Sequence, residues 1–180
     1  MIRSGLFAFA FLAVAWLGIA DAAEKRIALV IGNAAYQGVA ALKNPANDAT
    51  DMAAKLKAFG FDVMVRTNIG HKEMLRTLTS FGDKVTAGTE VVFFYAGHGM
   101  QVRGRNYLIP IDAEIRTENA VSSEAVDVDQ LLDKLSAARL SIVVLDACRN
   151  NPFERRFRGG GQGLPNIWPY AAFAPPLWST

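Results

Sequence analysis

The stretch KRIALVIGN, residues 25–33, is a continuous apolar run that closes on Gly32. That is the pattern of a strand buried on both faces. The period then changes. In ALKNPANDATDMAAKLKAFGF, Ala49, Met52, Ala53, Leu56 and Phe59 recur at three- and four-residue intervals, the stripe of an amphipathic helix. Pro45 and Asn47 mark its start and Gly60 its end. FDVMVRT predicts a second strand. HKEMLRTLTSFGDKV predicts a second helix with Met74, Leu75, Leu78, Phe81 and Val85 inward. TEVVFFYAGHG is a third strand, apolar from Val91 to Ala96, and MQVRGRNYLIPID reads as a hairpin with Gly104 near its turn. VDVDQLLDKLSAARL predicts a third helix on Val128, Leu131, Leu132, Leu135 and Ala138. SIVVLDACRN closes the series as a fourth buried strand.

Strand and helix alternate, which predicts an α/β fold: a mostly parallel sheet with helices on both faces and right-handed crossovers. No internal repeat interrupts the pattern. Neither GxxxxGK[ST] nor GxGxxG is present, and the hydrolase elbow GxSxG is missing too. A flavodoxin-like small-molecule binder would share the fold but lacks a phosphate loop here. From residue 159 the period is lost, in GGGQGLPNIWPYAAFAPPLWST, which reads as an irregular tail.

Composition narrows the class. The chain has 180 residues, 51% of them apolar, enough for a single domain with a real core. A net charge of +2, with scattered Lys and Arg, gives no footprint for nucleic acid. Residues 1–22 read as a signal peptide: Arg3 supplies the positive region and Leu6 to Ala20 an apolar run of about 15 residues, short for a membrane span. Ala20-Asp21-Ala22 has the small-x-small form of a cleavage site before Ala23. The alternative is an uncleaved membrane anchor. Cleavage implies export to a periplasmic or extracellular compartment, with no membrane association afterwards. Domain boundaries follow: leader 1–22, folded domain 23–163, tail 164–180.

An exported chain meets an oxidising compartment, yet it holds one cysteine, Cys148. A single thiol is a buried inert group, an intermolecular linker or a reactive group. In an open parallel sheet, ligands bind beyond the carboxyl ends of the strands. Three chemistry-bearing residues fall at that edge: His98 directly after the third strand, Cys148 after the fourth, and Asp48 at the start of the first helix. A thiol is mostly protonated at neutral pH; a nearby imidazole can take the proton and later give it to a leaving amine. The N–H of Gly99, unshielded by a Cβ, and that of Cys148 are candidate donors to an oxyanion. Each residue also has a structural explanation. Cys148 could be a small buried hydrophobe, Asp48 a helix N-terminal acid and Asp146 a strand-end cap. His71 reads as a surface residue.

FFYAGHG and LDACRN, with their histidine and cysteine 50 residues apart, resemble the two catalytic motifs of the caspase/metacaspase family of cysteine peptidases. RIALVIGNAAYQ and LKNPANDATDMAAKLKAFGFDV resemble its opening strand and first helix, so the likeness runs from about Arg26 to Gly163. The caspase signature at the cysteine is Q-A-C-[RQG]-G; here Asp146 replaces the Gln and Asn150 the Gly. The resemblance implies a caspase-like three-layer α/β/α sandwich in which His98 and Cys148 form the catalytic dyad. It also implies the specificity. Metacaspases cut after Arg or Lys, using an Asp two residues before the cysteine and another in an Asn-Asp pair at the first helix. Asp146 and Asp48 match those positions. Two carboxylates favour a guanidinium or ammonium through charge-assisted hydrogen bonds.

These observations predict an exported endopeptidase acting on proteins or peptides after Arg or Lys. It needs no cofactor and no metal for the chemistry; the calcium dependence of some metacaspases stays open, with no EF-hand-like loop in the chain. Oligomeric state is not read from the sequence. Caspase-like folds continue past the cysteine strand into a smaller portion, whereas this chain stops about 30 residues after Cys148. That motivates the alternative of a catalytically weak or inactive truncated module acting in protein–protein interaction. Asn106, Tyr107 and Asp112 either shape the groove or form structural turns.

Overall fold

The computed structural model describes residues 25–148, the last of them by its backbone, together with Phe153. The leader-like residues 1–22 and the tail from residue 159 lie outside the described residues. Among the described residues, six strands form one mixed sheet. Strand β1 (Lys25–Gly32) is central. It pairs in parallel with β2 (Asp62–Thr67) on one side and with β3 (Thr89–Val102) on the other. Beyond β3 lies β6 (Leu140–Cys148), also parallel. The far end of β3 turns back into β4 (Arg105–Leu108), and β4 pairs antiparallel with the two-residue β5 (Val126–Asp127).

The sheet forms where apolar residues alternate between two covered faces. Ile27, Leu29 and Ile31 of β1 join Val91, Phe93 and Tyr95 of β3 on one face, and Ala28 and Val30 join Val92, Phe94 and Ala96 on the other. Helix α1 (Pro45–Ala58) covers the second face with Ala49, Ala53 and Leu56. Helices α2 (His71–Gly82) and α4 (Val128–Leu135) cover the first, with Met74, Leu78 and Phe81 from one and Leu131 and Leu135 from the other. A 3-10 turn (Glu118–Ala120) and the short α3 (Val121–Glu124) precede β5. The result is the expected three-layer α/β/α arrangement. Among the described residues, no helix is long and apolar enough to cross a membrane.

Helix ends follow their local chemistry. Proline is tolerated at the first helical position of α1 because that N–H has no intrahelical partner. Asp127 caps α4 by accepting the Asp129 N–H at 2.9 Å, and its other oxygen lies 2.6 Å from Arg105. Asp112 does the same for α2 from outside the helix, accepting the N–H of His71 at 2.8 Å. Asp112 is therefore a structural cap, Tyr107 belongs to a buried cluster around Ile109 and Ile115, and His71 is part-exposed. The hairpin after β3 is as short as a hairpin can be. Arg103 (φ 50°) and Gly104 (φ 80°) form a two-residue loop with both residues left-handed, the turn whose twist matches the strands.

Four expectations change. Phe59 caps the end of α1 instead of extending its stripe, and is 70% exposed. Leu75 sits on the outer flank of α2, where Thr77 is buried instead. β3 does not stop before His98; it continues to Val102 because β4 replaces β1 as its neighbour. β6 is not buried on both faces. Among the described residues it pairs with β3 alone, and Ile142 is 38% exposed.

Candidate active site

Strand register determines which residues meet at the carboxyl edge. Gly32 of β1, Ala96 of β3 and Asp146 of β6 form one row across the sheet. Two residues further on, His98 and Cys148 are direct partners. Both lie inside strands, Cys148 as the last residue of β6, rather than in the loops that follow. Parallel pairing thus brings together backbone positions 50 residues apart, on the most extended contact in the fold.

Three loops converge here because Asn33 ties them. Its side chain is fully buried and bonds three backbone groups. It accepts the Ile69 N–H at 3.0 Å and donates to the carbonyls of Ile69 and Ile109, each at 3.3 Å. Asn68, left-handed at φ 54°, accepts the N–H groups of Ala34 and Ala35, both at 2.9 Å. Such bonds fix the segment after β1, which carries Tyr36 and Ala40 to the face of His98. Leaving a buried backbone group without a partner would cost about 1–3 kcal/mol.

His98 is 6% exposed and its ring is held on two sides. The Tyr36 ring lies 4.5 Å away, tilted by 51°. The Ala40 carbonyl is 2.9 Å from Nε2. A carbonyl can only accept, so in the neutral ring Nε2 carries the hydrogen and Nδ1 carries the lone pair. Nδ1 is buried and, among the described residues, has no hydrogen-bond partner. The imidazole is therefore set up with its basic nitrogen unused.

The backbone of His98 is held as firmly. Its N–H donates to the Tyr36 hydroxyl at 2.7 Å. Its carbonyl accepts from the Tyr95 hydroxyl at 2.8 Å and from the Ile109 N–H at 3.0 Å. The two hydroxyls are 3.2 Å apart. Burial, reinforced by the neighbouring Tyr36, raises the Tyr95 phenol well above its ordinary range, so it stays protonated.

The flanking glycines have steric reasons. A Cβ on Gly97 would stand 2.6 Å from both tyrosine hydroxyls, and one on Gly99 would stand 2.9 Å from the Ala147 methyl. By strand alternation, Ala96 and His98 turn their backbone groups toward β1 and β4, as the Asn33–Ala96 and Ile109–His98 bonds show. The N–H of Gly99 therefore turns to the β6 side, where Cys148 lies in register.

Asp146 is exposed and shares the α1 face of the sheet with its neighbour Ala96. Asp48 lies in the first turn of α1, part-exposed. The start of that helix presses on Gly32, whose added Cβ would meet the Pro45 carbonyl at 2.2 Å. Asp48 and Asp146 thus occupy the same end and the same face of the sheet as His98. Among the described residues, no group of three His, Cys, Asp or Glu is placed to hold a metal ion.

Tyr36, Tyr95, Asn33 and the Ala40 carbonyl were not legible as site components from the sequence. NAAYQ offered one signal, a tyrosine in the loop after the first strand; a backbone carbonyl offers none.

Comparison with known proteins bears on the family and the fold. The family model of the caspase domain, peptidase family C14, matches residues 25–166. The chain belongs to the caspase-domain family. Two curated relatives are 28% identical over 129 residues: mucosa-associated lymphoid tissue lymphoma translocation protein 1 of Homo sapiens and its homolog in Mus musculus. The matched region is 71% of this chain but 15% of either relative's length. In three dimensions the fold is similar to the crystal structure of protein GSU0716 from Geobacter sulfurreducens. The TM-score is 0.56 at 22% identity, covering 69% of this chain and 50% of that one. Membership in this family makes the chain a relative of proteases that act on protein substrates.

Proposed function

We propose that this caspase-domain chain is an exported cysteine endopeptidase that cleaves proteins or peptides after Arg or Lys. The observation that carries the reading is the pairing of His98 with Cys148, where a buried Nδ1 has no hydrogen-bond partner among the described residues while Nε2 is occupied by Ala40. In this reading Nδ1 takes the proton of the Cys148 thiol. The thiolate attacks the scissile carbonyl, forming a carbon–sulfur bond and an oxyanion that the N–H groups of Gly99 and Cys148 receive. The carbon–nitrogen bond then breaks as the imidazolium returns its proton to the leaving amine. Water, deprotonated by Nδ1, attacks the thioester; the carbon–sulfur bond breaks and the enzyme is restored.

Asp48 and Asp146 are proposed to receive the basic side chain that precedes the scissile bond. Their common face and end of the sheet support the assignment. The test is a covalent label. An electrophilic peptide ending in Arg should modify the protein at Cys148 and leave Cys148→Ala and His98→Ala unmodified. Preference for an Asp-ending peptide would overturn the specificity. Failure of the folded wild-type protein to react with either peptide would overturn the peptidase reading, in favour of a non-catalytic interaction module.

A further inference from the structure

The hydrogen bonds around His98 form a closed circuit that the proposed reaction does not use. The His98 N–H donates to Tyr36. The Tyr95 proton is directed at two carbonyls, His98 at 2.8 Å and Ile109 at 2.9 Å. Its oxygen also lies 3.2 Å from the Tyr36 hydroxyl, a contact in which either hydroxyl can donate. The circuit runs from the His98 N–H through Tyr36 and Tyr95 back to the His98 carbonyl.

Its position explains why it is needed. On the β1 side, the last backbone bond of β3 to that strand is the Asn33 N–H on the Ala96 carbonyl. The first to the segment after β4 is the Ile109 N–H on the His98 carbonyl. The His98 N–H falls at the junction, where one neighbour has ended and the next has not begun. A backbone N–H at such a gap is where a strand would bulge or twist. Tyr36 supplies the missing acceptor, and its ring braces the imidazole from the same anchor. Gly97 leaves the space that both hydroxyls occupy.

We propose that Tyr36 and Tyr95 are positioning residues for His98, fixing the peptide and ring from which Nδ1 acts. This rests on the peptidase reading above. The hydroxyls do not exchange protons with substrate; they hold His98 where a small displacement would be costly, since misplacement by about 1 Å can lower a rate roughly 100-fold.

The experiment uses the full chain and four variants: Tyr36→Phe, Tyr95→Phe, His98→Ala and the double variant Tyr36→Phe/His98→Ala. Each is first checked for wild-type far-UV circular dichroism. Two rates are read across pH: alkylation of Cys148 by iodoacetamide, and turnover of an Arg-ending fluorogenic peptide. For a positioning role, each folded Phe variant lowers kcat about 10- to 100-fold with KM changed less than about 2-fold. Alkylation at neutral pH slows in parallel. In the His98→Ala background, Tyr36→Phe changes the alkylation rate less than about 2-fold, because the residue through which it acts is gone. A merely structural tyrosine would lower the melting temperature without this dependence on His98. If His98→Ala slows both rates while folded Phe variants match the wild type, the positioning proposal is overturned and the peptidase reading stands. If His98→Ala changes neither rate, both are overturned. Should one Phe variant unfold, the other decides; unfolding of both overturns the proposal, since the hydroxyls then support the core.

Discussion

His98 Nε2 stands 2.9 Å from the carbonyl oxygen of Ala40, a residue 58 positions earlier in the chain. A backbone carbonyl never donates, so this contact selects one tautomer of the neutral ring. Long-range proton–nitrogen correlation spectra of the imidazole should show the hydrogen on Nε2 and an unprotonated Nδ1. The opposite tautomer would remove the acceptor for the thiol proton and with it the proposed base.

Gly32 is predicted to be among the least replaceable residues of the sheet. A Cβ there would lie 2.2 Å from the Pro45 carbonyl oxygen and 2.7 Å from the Ala49 methyl. Backbone cannot give way as a flexible side-chain tip can. Gly32→Ala should destabilise the fold toward the upper end of the roughly 1–3 kcal/mol seen for overpacking, read as a lower urea midpoint at unchanged slope. Gly88→Ala, where no heavy atom lies within 4 Å, should stay within about 0.5 kcal/mol.

The hydrophobic period was enough to find the parallel strands and the three covering helices, because each apolar stripe is buried by one partner layer. It was also enough to bring His98 and Cys148 to one edge. Two kinds of information escaped it. Gly97 and Gly99 look like the end of a strand, yet β3 continues through them; they are small because two phenol hydroxyls and the Ala147 methyl need the space. And β6 reads as a doubly buried strand from its run of Ile142, Val143, Val144 and Leu145, although Ile142 is 38% exposed. Apolarity reports that a face is fit for cover, not which segment covers it. The contribution of Asn33 was hidden for a related reason. Its partners are three backbone groups on two other loops, and no local spacing encodes them.

Asp146 lies beside Ala96 on an exposed part of the sheet, so its carboxylate is not expected to contribute much to folding. Asp146→Asn should leave the urea midpoint within the equivalent of about 0.5 kcal/mol. If it receives a basic side chain, kcat/KM for Arg-ending peptides should fall roughly 10- to 100-fold, the worth of about 1.5–3 kcal/mol for a hydrogen bond to a charged group. Asp48→Asn should act in the same direction, and the pair should be non-additive if both carboxylates hold one guanidinium. Equal kinetics for wild type and both variants would exclude a shared specificity pocket.

Tyr95 gives the fold an alkaline limit. Burial first, and the Tyr36 hydroxyl second, raise its phenol well above the ordinary value of about 10. Below that ordinary value the phenol is protonated in both the folded and the unfolded chain, and the full stabilisation is present. Above it the unfolded chain releases the proton while the folded chain keeps it. The unfolded state then binds fewer protons, and stability falls as pH rises toward the folded-state value. Urea midpoints measured from about pH 8 to pH 12 should decline above roughly pH 10. The decline should be shallower in Tyr95→Phe, which cannot ionise, even though that variant starts from a lower stability. Parallel curves for the two proteins would mean that Tyr95 titrates alike in both states, and that its hydroxyl is not held as the bonds to His98 and Ile109 require.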